Sequence, residues 1–230
     1  VIDFDAIRES LPAYASGALV TFELTAVALA VGMLFALPLS ILRGWPSRRV
    51  WGPVWAFTYV IRGTPLLVQL FLVYYGLGQF DAVRESFAWP WLRSATFCAM
   101  ASFALNTCAY TTEILHAAMR AVPAGEVEAA KAMGMTRWVA LRRVVLPSAF
   151  RRFLPAYGNE AMFMLQATSL ASTVTLMDLT GAAREMNSRF YLPFHAFGIA
   201  AVIYLAITMA LVGLFHLGER RWLMPWQSRA

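Results

Sequence analysis

The sequence predicts an all-α integral membrane protein with five transmembrane helices, amino terminus outside and carboxyl terminus in the cytoplasm. Three observations carry that expectation. Of the 230 residues, 60% are apolar and only 14% charged, against roughly 45–50% and about 25% in soluble chains. Five apolar stretches each supply the roughly 20 helical residues that a bilayer core of about 30 Å demands. The cations fall unevenly among the connecting segments, and Lys/Arg counts in short loops set topology. The net charge of +6 and a pI near 9.7 would suggest nucleic acid if the cations formed a patch. In so apolar a chain they belong to the loops of a membrane protein, and no nucleic-acid partner is expected. Disorder, collagen and a disulfide scaffold are excluded by the same composition.

Residues 1–17 read as an outer segment. Asp3, Asp5 and Glu9 make it acidic and the following apolar core is too long, so a cleaved signal peptide is not expected. Residues 18–42 form the first span; Glu23 is the single charge between Ser10 and Leu42, and Arg43-Gly44-Trp45-Pro46 closes it. Residues 51–75 form the second, interrupted by Arg62-Gly63-Thr64-Pro65. Arg93 opens the third, residues 94–119, with Glu113 inside. A polar amphipathic tract fills 121–143. The fourth span follows Pro147 to about residue 175 and carries Asn159 and Glu160. The fifth, residues 194–218, has no Asp, Glu, Lys or Arg. Residues 18–222 are thus one membrane domain, with a cytoplasmic tail at 223–230.

With the amino terminus outside, 13 of the 19 cations lie in inner segments, five in outer ones, and Arg62 within a span. Only Glu126, Glu128 and Glu219 accompany those 13, so the positive charge reports topology. Trp45, Trp51, Trp89, Trp91, Trp222 and Trp226 flank the spans where interfacial aromatic belts form.

Catalytic chemistry finds no foothold. Cys98 and Cys108 are ten residues apart, about 15 Å along a helix, too far for a disulfide within it. No CxxC, HExxH, GxSxG or Walker-type loop occurs. His116, His195 and His216 are too scattered for a metal cluster. His195 and His216 lie near the two ends of the fifth span, where they pack at the interfaces or relay a proton.

The tract from Arg120 to Pro147 is the longest inner connection. Pro123 and Gly125 end the preceding helix. Glu126 and Glu128 favour a new helix start, where carboxylates meet the positive end of the dipole. Ala129, Ala130 and Ala132 propagate it with little side-chain bulk, and Gly134 stops it. A short helix at about 124–138 results. With so small a face it either lodges in a groove of another protein or lies on the lipid.

Polar residues inside spans are costly, roughly 2.5–3.5 kcal/mol for a charge on insertion scales. Arg62 either snorkels or pairs with backbone carbonyls. Gly63, Thr64 and Pro65 either kink their helix or break it, and a broken helix exposes backbone donors that suit a carboxylate. Glu113 reads as a tie between helices. Asn159, Gln166, Ser169 and Thr173 share one helix face, with Glu160 at its border. Such a stripe lines either a helix contact or a wet path.

These residues resemble a known family. Glu128-Ala129-Ala130, Gly134 after three further residues, and Val144, Leu146 and Pro147 match the EAA signature of permease subunits of ATP-binding-cassette importers. The family has isoleucine where Val144 stands. The runs 61–70, 104–114 and 155–160, then Thr168-Ser169-Leu170, resemble its polar-amino-acid subfamily, as does Gly17 with Thr21. The resemblance spans about residues 15–222. It is most similar to the second ("M") permease subunit of histidine and lysine–arginine–ornithine importers.

The resemblance implies a type I importer permease (MetI-like) fold in a bacterial inner membrane. It implies a second, homologous permease, two cytoplasmic ATP-binding subunits, and a periplasmic receptor that delivers an amino acid. ATP and Mg would sit on the ATPase, with no cofactor in this chain. Glu126, Glu128, Ala129, Ala130 and Gly134 would couple to that ATPase. Asn159, Glu160, Gln166, Ser169, Gly63, Thr64 and Tyr110 are the substrate candidates; Arg62, Pro65, Glu113 and Pro147 are structural or gating candidates. Many relatives carry lysine where Gln166 stands. A carboxylate at Glu160 without that lysine favours a cationic substrate by charge complementarity. A secondary transporter or channel is the rival reading. It explains the intramembrane polar residues but not the EAA tract, and no internal repeat supports it.

Overall fold

The computed structural model describes residues 4–222, with side chains to residue 220. Asp3, the side chains of Arg221 and Trp222, and the tail with Trp226 and Arg229 lie outside the described residues. All regular structure among the described residues is helical. In order, the helices are α1 (Phe4–Arg43), α2 (Arg48–Gly63), α3 (Leu66–Phe71), two single turns α4 (Asp81–Arg84) and α5 (Trp89–Leu92), α6 (Ala95–Arg120), α7 (Ala124–Ala132), α8 (Arg137–Ala140), α9 (Leu146–Ala167), α10 (Leu179–Phe190) and α11 (Pro193–Trp222).

The first helix begins at Phe4, not near residue 18, so the expected outer segment is the first turns of one long helix. Its buried positions include Gly17, Thr21, Thr25, Ala28, Gly32, Ala36 and Ser40, spaced three or four apart. That spacing puts them on one face. The face is distinguished by size, not polarity: small side chains let helix backbones approach closely, which is how association proceeds without a hydrophobic drive in lipid. A methyl group on Gly32 would collide with Thr107 Cγ2 of α6. One on Gly17 would lie 2.8 Å from the Asp178 carbonyl oxygen.

Three packed clusters run along the bundle. Tyr14, Leu179, Met186 and Ala196 join α1, α10 and α11. Leu24, Leu70, Phe103, Met164 and Val174 fill the middle. Leu115, Val122, Ala149 and Phe153 close the end where α7 lies.

By length and composition, α1 and α11 qualify as membrane spans, and the bent pair α2–α3 makes a third. The third and fourth expected spans, α6 and α9, are more polar. On α6 the cause is Ser102, Asn106, Thr107, Thr111 and Thr112, all buried within the bundle. On α9 it is Arg151, Arg152 and Glu160.

Residues Leu179–Phe190, between the fourth and fifth expected spans, are helical. They form α10, and Asp178 is fully buried as its N-cap. Its carboxylate accepts from the amides of Thr180 (3.2 Å) and Gly181 (3.0 Å) and from the Tyr204 hydroxyl (3.2 Å). The Leu179 amide donates to Thr21 Oγ1 at 3.1 Å. Three helices thereby share one cap. A capping aspartate next to Thr180-Gly181 has the composition of a surface turn, which is why the sequence alone concealed its burial.

At the α7 end, Glu113 Oε1 accepts from Arg43 Nε at 2.9 Å and Thr58 Oγ1 at 2.6 Å. The carboxylate thus joins α1, α2 and α6, with both ion-pair partners about one-fifth exposed. Hydrogen bonds to a charged group contribute about 1.5–3 kcal/mol. Glu113→Ala is therefore expected to lower stability by about 2–3 kcal/mol, whereas Thr58→Val should cost about half as much. Thermal unfolding in detergent measures both, and an unchanged midpoint for Glu113→Ala would show that the tie is not structural.

Candidate functional site

Of the two alternatives, a kink or a break, the chain takes the break, at Thr64 and Pro65. Pro65 has no N–H to give to a continuing helix, and Thr64 before it takes the extended backbone that a following proline imposes (φ −116°, ψ 142°). The chain turns by 102° between Arg48–Gly63 and Leu66–Gln79. A break leaves carbonyls without partners, and in a bilayer each must find one. Gln69 supplies it: Nε2 donates to Ile61 O at 2.7 Å and to Thr64 O at 3.0 Å. Gln69 Oε1 in turn accepts from Asn106 Nδ2 of α6 at 3.2 Å. Two carbonyls at the break are therefore held by the protein itself.

Beside the break lies a cavity of about 530 Å³, within the range of small-ligand sites. One wall is Arg62, Gly63, Thr64 and Pro65; α6 contributes Asn106 and Tyr110; α9 contributes Glu160, Phe163, Met164 and Ala167. The α9 residues recur at three- and four-residue steps, which sets them on one face. The Arg62 guanidinium lies 5.1 Å from the centre of the Tyr110 ring, a cation–π contact. Glu160 is 7% exposed. The cavity therefore offers a fixed cation and a carboxylate, with aromatic and apolar surface between them.

At the far end of α6, α7 stops in a Schellman arrangement. The Met135 amide bonds to Ala130 O (3.1 Å) and the Gly134 amide to Lys131 O (2.9 Å). Gly134 has φ +77°, and a Cβ there would meet nothing within 4 Å. Backbone conformation alone requires glycine here. Helix α7 is shorter than expected, ending at Ala132 with a turn before α8. Ala130 is buried, while Glu128, Ala129 and Ala132 are exposed. Glu126 lies 3.9 Å from Arg152, a surface pair of little energetic weight. Pro147 occupies the first turn of α9, and the segment before it, Leu141–Val145, widens into a π turn because proline cannot donate to the carbonyl four residues back.

Residues 28–224 match the family described as binding-protein-dependent transport system inner membrane component. The chain belongs to that family. It is 43% identical over 224 residues to the octopine transport system permease protein OccM of Rhizobium radiobacter, covering 96% of this chain and 89% of OccM. It is 45% identical over 209 residues to the histidine/lysine/arginine/ornithine transport system permease protein HisM of Escherichia coli K12, covering 90% and 88%. A solved amino acid ABC transporter, crystallised with histidines, superposes with a TM-score of 0.86 at 35% identity, covering 96% of this chain and 99% of that one. The fold is thus that of a MetI-like ABC permease, a transport subunit whose ATPase is a separate chain.

Within this inner membrane component, Arg62, Gly63, Thr64, Pro65, Tyr110 and Glu160 come together at one cavity. Asn159, Gln166 and Ser169 do not line it. Asn159 and Gln166 are exposed on the adjoining face of α9, with Phe163 66% exposed between them. Glu113 lies with Arg43 and Thr58, away from the cavity. His216 pairs with Glu219 at 3.1 Å on the surface, and His195 lies against Phe194. Sequence reasoning passed over Asn106 and Gln69. The signal for Gln69 was its position just past a Gly–Pro break, where a side-chain donor can reach the freed carbonyls.

Gln69→Leu orphans Thr64 O, at about 1–3 kcal/mol, and leaves Ile61 O with only the long bond from Thr64 Oγ1 at 3.4 Å. We expect uptake by the reconstituted importer to fall at least tenfold while its subunits still co-purify. Gln69→Glu, which cannot donate when ionised, should behave alike. Normal uptake by either variant would mean that the break is held by other means.

Proposed function

We propose that this chain is the membrane-spanning subunit of an ATP-driven bacterial importer that moves basic amino acids from an external receptor into the cytoplasm. The single observation that carries the reading is the cavity at the helix break, where Arg62 and Glu160 face a common space. A zwitterion with a cationic side chain has the matching charges: its α-carboxylate suits Arg62 and its side-chain cation suits Glu160. The names of HisM and OccM support a choice between basic amino acids and an opine. The presence of Arg62 changes the charge argument, because the site is dipolar, not simply acidic. Preference for a basic substrate then rests on Glu160 being free to meet the side chain while Arg62 is engaged by the carboxylate.

The five spans of this reading are α1, the broken pair α2–α3, α6, α9 and α11, with the amino terminus outside. The excess of cations in the segments on the α7 side supports that orientation. The exposed face of α9 carrying Asn159, Phe163 and Gln166 supports a second, homologous permease as neighbour. On this reading Glu126, Glu128, Ala129, Ala130 and Gly134 of α7 form the contact with one of two ATPase subunits, which bind ATP and Mg.

Two experiments test the reading. Glu160→Gln should reduce arginine uptake in proteoliposomes about tenfold and uptake of a neutral amino acid far less; equal losses would make Glu160 structural. Competition by histidine, arginine, lysine, ornithine and octopine then ranks the substrates. Gly134→Asp and Glu128→Lys should leave insertion and ATP hydrolysis intact but abolish uptake. Full transport by Gly134→Asp would remove α7 from the coupling path.

A further inference from the structure

A second cavity, of about 780 Å³, lies at the α7 end of the bundle and shares no residue with the first. Its walls are the ends of α1 and α6, the turn after α1, one face of α7, and α8 with the π turn that follows. The lining has two parts. Met119, Leu141 and Val145 provide an apolar floor. Arg120, Lys131 and Arg137, all exposed, place three cations around it. Trp45 and Trp138 line it too, 49% and 61% exposed. No carboxylate lines the cavity, and among the described residues none of the three cations has an ion-pair partner.

The side of α7 that faces this space also matters. Val127 and Lys131 line it, four residues apart and so on one face. Ala129 and Ala132 are exposed on the opposite face. The face of α7 that lines the cavity is therefore not the one that carries Ala129 and Ala132.

We infer that this groove holds an anionic phospholipid. Its phosphodiester meets Arg120, Lys131 and Arg137, its glycerol lies beside the two indoles, and its upper acyl chain covers the apolar floor. Basic pockets between helix ends attract acidic head groups, and tryptophan belongs at head-group depth. A soluble anion would satisfy the cations but leave the floor in water. An acidic protein loop would do the same. The inference requires membrane insertion but not the substrate assigned above.

The test is native mass spectrometry of the whole importer, purified with its partner permease and ATPase subunits and titrated with phosphatidylglycerol or phosphatidylcholine of matched chains. The wild type should retain phosphatidylglycerol at least fivefold better. The combined variant Arg120→Gln, Lys131→Gln, Arg137→Gln should lose that preference. Arg142→Gln with Arg143→Gln, cations of the same tract outside the lining, should keep it. If the combined variant does not assemble, the wild-type titration and Lys131→Gln alone decide. Retention by the combined variant or no preference in the wild type would overturn the inference. So would displacement by glycerol 3-phosphate, which points to a free anion, or binding only after the ATPase is stripped away, which points to a protein occupant.

Discussion

The side-chain amide of Gln69 holds together a place where the chain breaks inside an apolar bundle. Two carbonyls released by the turn at Thr64 and Pro65 have no helical partner, and one Nε2 serves both. Without that donor the break would cost several kcal/mol in lipid, and the segment would straighten, shift or admit water. With it, Arg62 and Thr64 keep fixed positions relative to each other. The acceptor end of the same amide is anchored by Asn106, so the break is also fixed relative to α6. The Arg62–Tyr110 contact has a defined length for that reason: Tyr110 is one helical turn beyond Asn106.

A second constraint lies in the size of the side chains between α1 and α6. Close approach at Gly32 and Thr107 leaves no room for a larger residue, so the two helices act as one body. Arg43, Thr58 and Glu113 extend that body to α2. Most polar groups of α6 are tolerable in an apolar environment: Ser102 and Thr112 bond back to carbonyls of their own helix, and Asn106 and Glu113 are consumed in ties to α3 and α2, whereas the buried hydroxyls of Thr107 and Thr111 have no hydrogen-bond partner among the described residues. Polarity that depresses the hydropathy of α6 is the same polarity that assembles the bundle around it.

Legibility in the sequence followed the range of the interaction involved. The end of α7 at Gly134 was readable because a left-handed residue is a local requirement with a known residue preference. The break at Gly63–Pro65 was readable because proline removes a donor within its own turn. The common face of Asn159 and Gln166 followed from helical periodicity, but periodicity does not say which way a face points, and the cavity lies beside Glu160 and Met164 instead. The Gln69–Asn106 bond joins residues 37 apart, and no local pattern encodes it. Asp178 shows the same limit: its cap is local, whereas its burial depends on Gly17, Thr21 and Tyr204. The start of α1 was misjudged because its acidic residues read as a connecting segment, although Tyr14 donates to Ala196 O across the bundle at 2.8 Å and holds that stretch helical.

The connectivity also constrains how a stroke at α7 would reach the cavity. Helix α7 lies between α6 and α9 in the chain, and those two helices carry Tyr110 and Glu160. From Tyr110 to the end of α6 is about 15 Å, and from the start of α9 to Glu160 about 21 Å. Both levers are helical throughout, and the second contains Pro155, which lacks a backbone donor. The wall bearing Arg62 has no covalent link to α7, yet it is tied to α6 at two heights, through Thr58 with Glu113 and Gln69 with Asn106. Helix α9 is held to α1 by a different contact, the Tyr157 hydroxyl on Leu29 O at 3.2 Å. Arg62 and Tyr110 are therefore positioned through α6, whereas Glu160 is carried by α9, which packs on both α1 and α6. A displacement that changes the angle between α6 and α9 alters the distance between the two charges while preserving the geometry of each. A site that grips a zwitterion at both ends is weakened by such a change in separation, so release need not involve any rearrangement of the break itself.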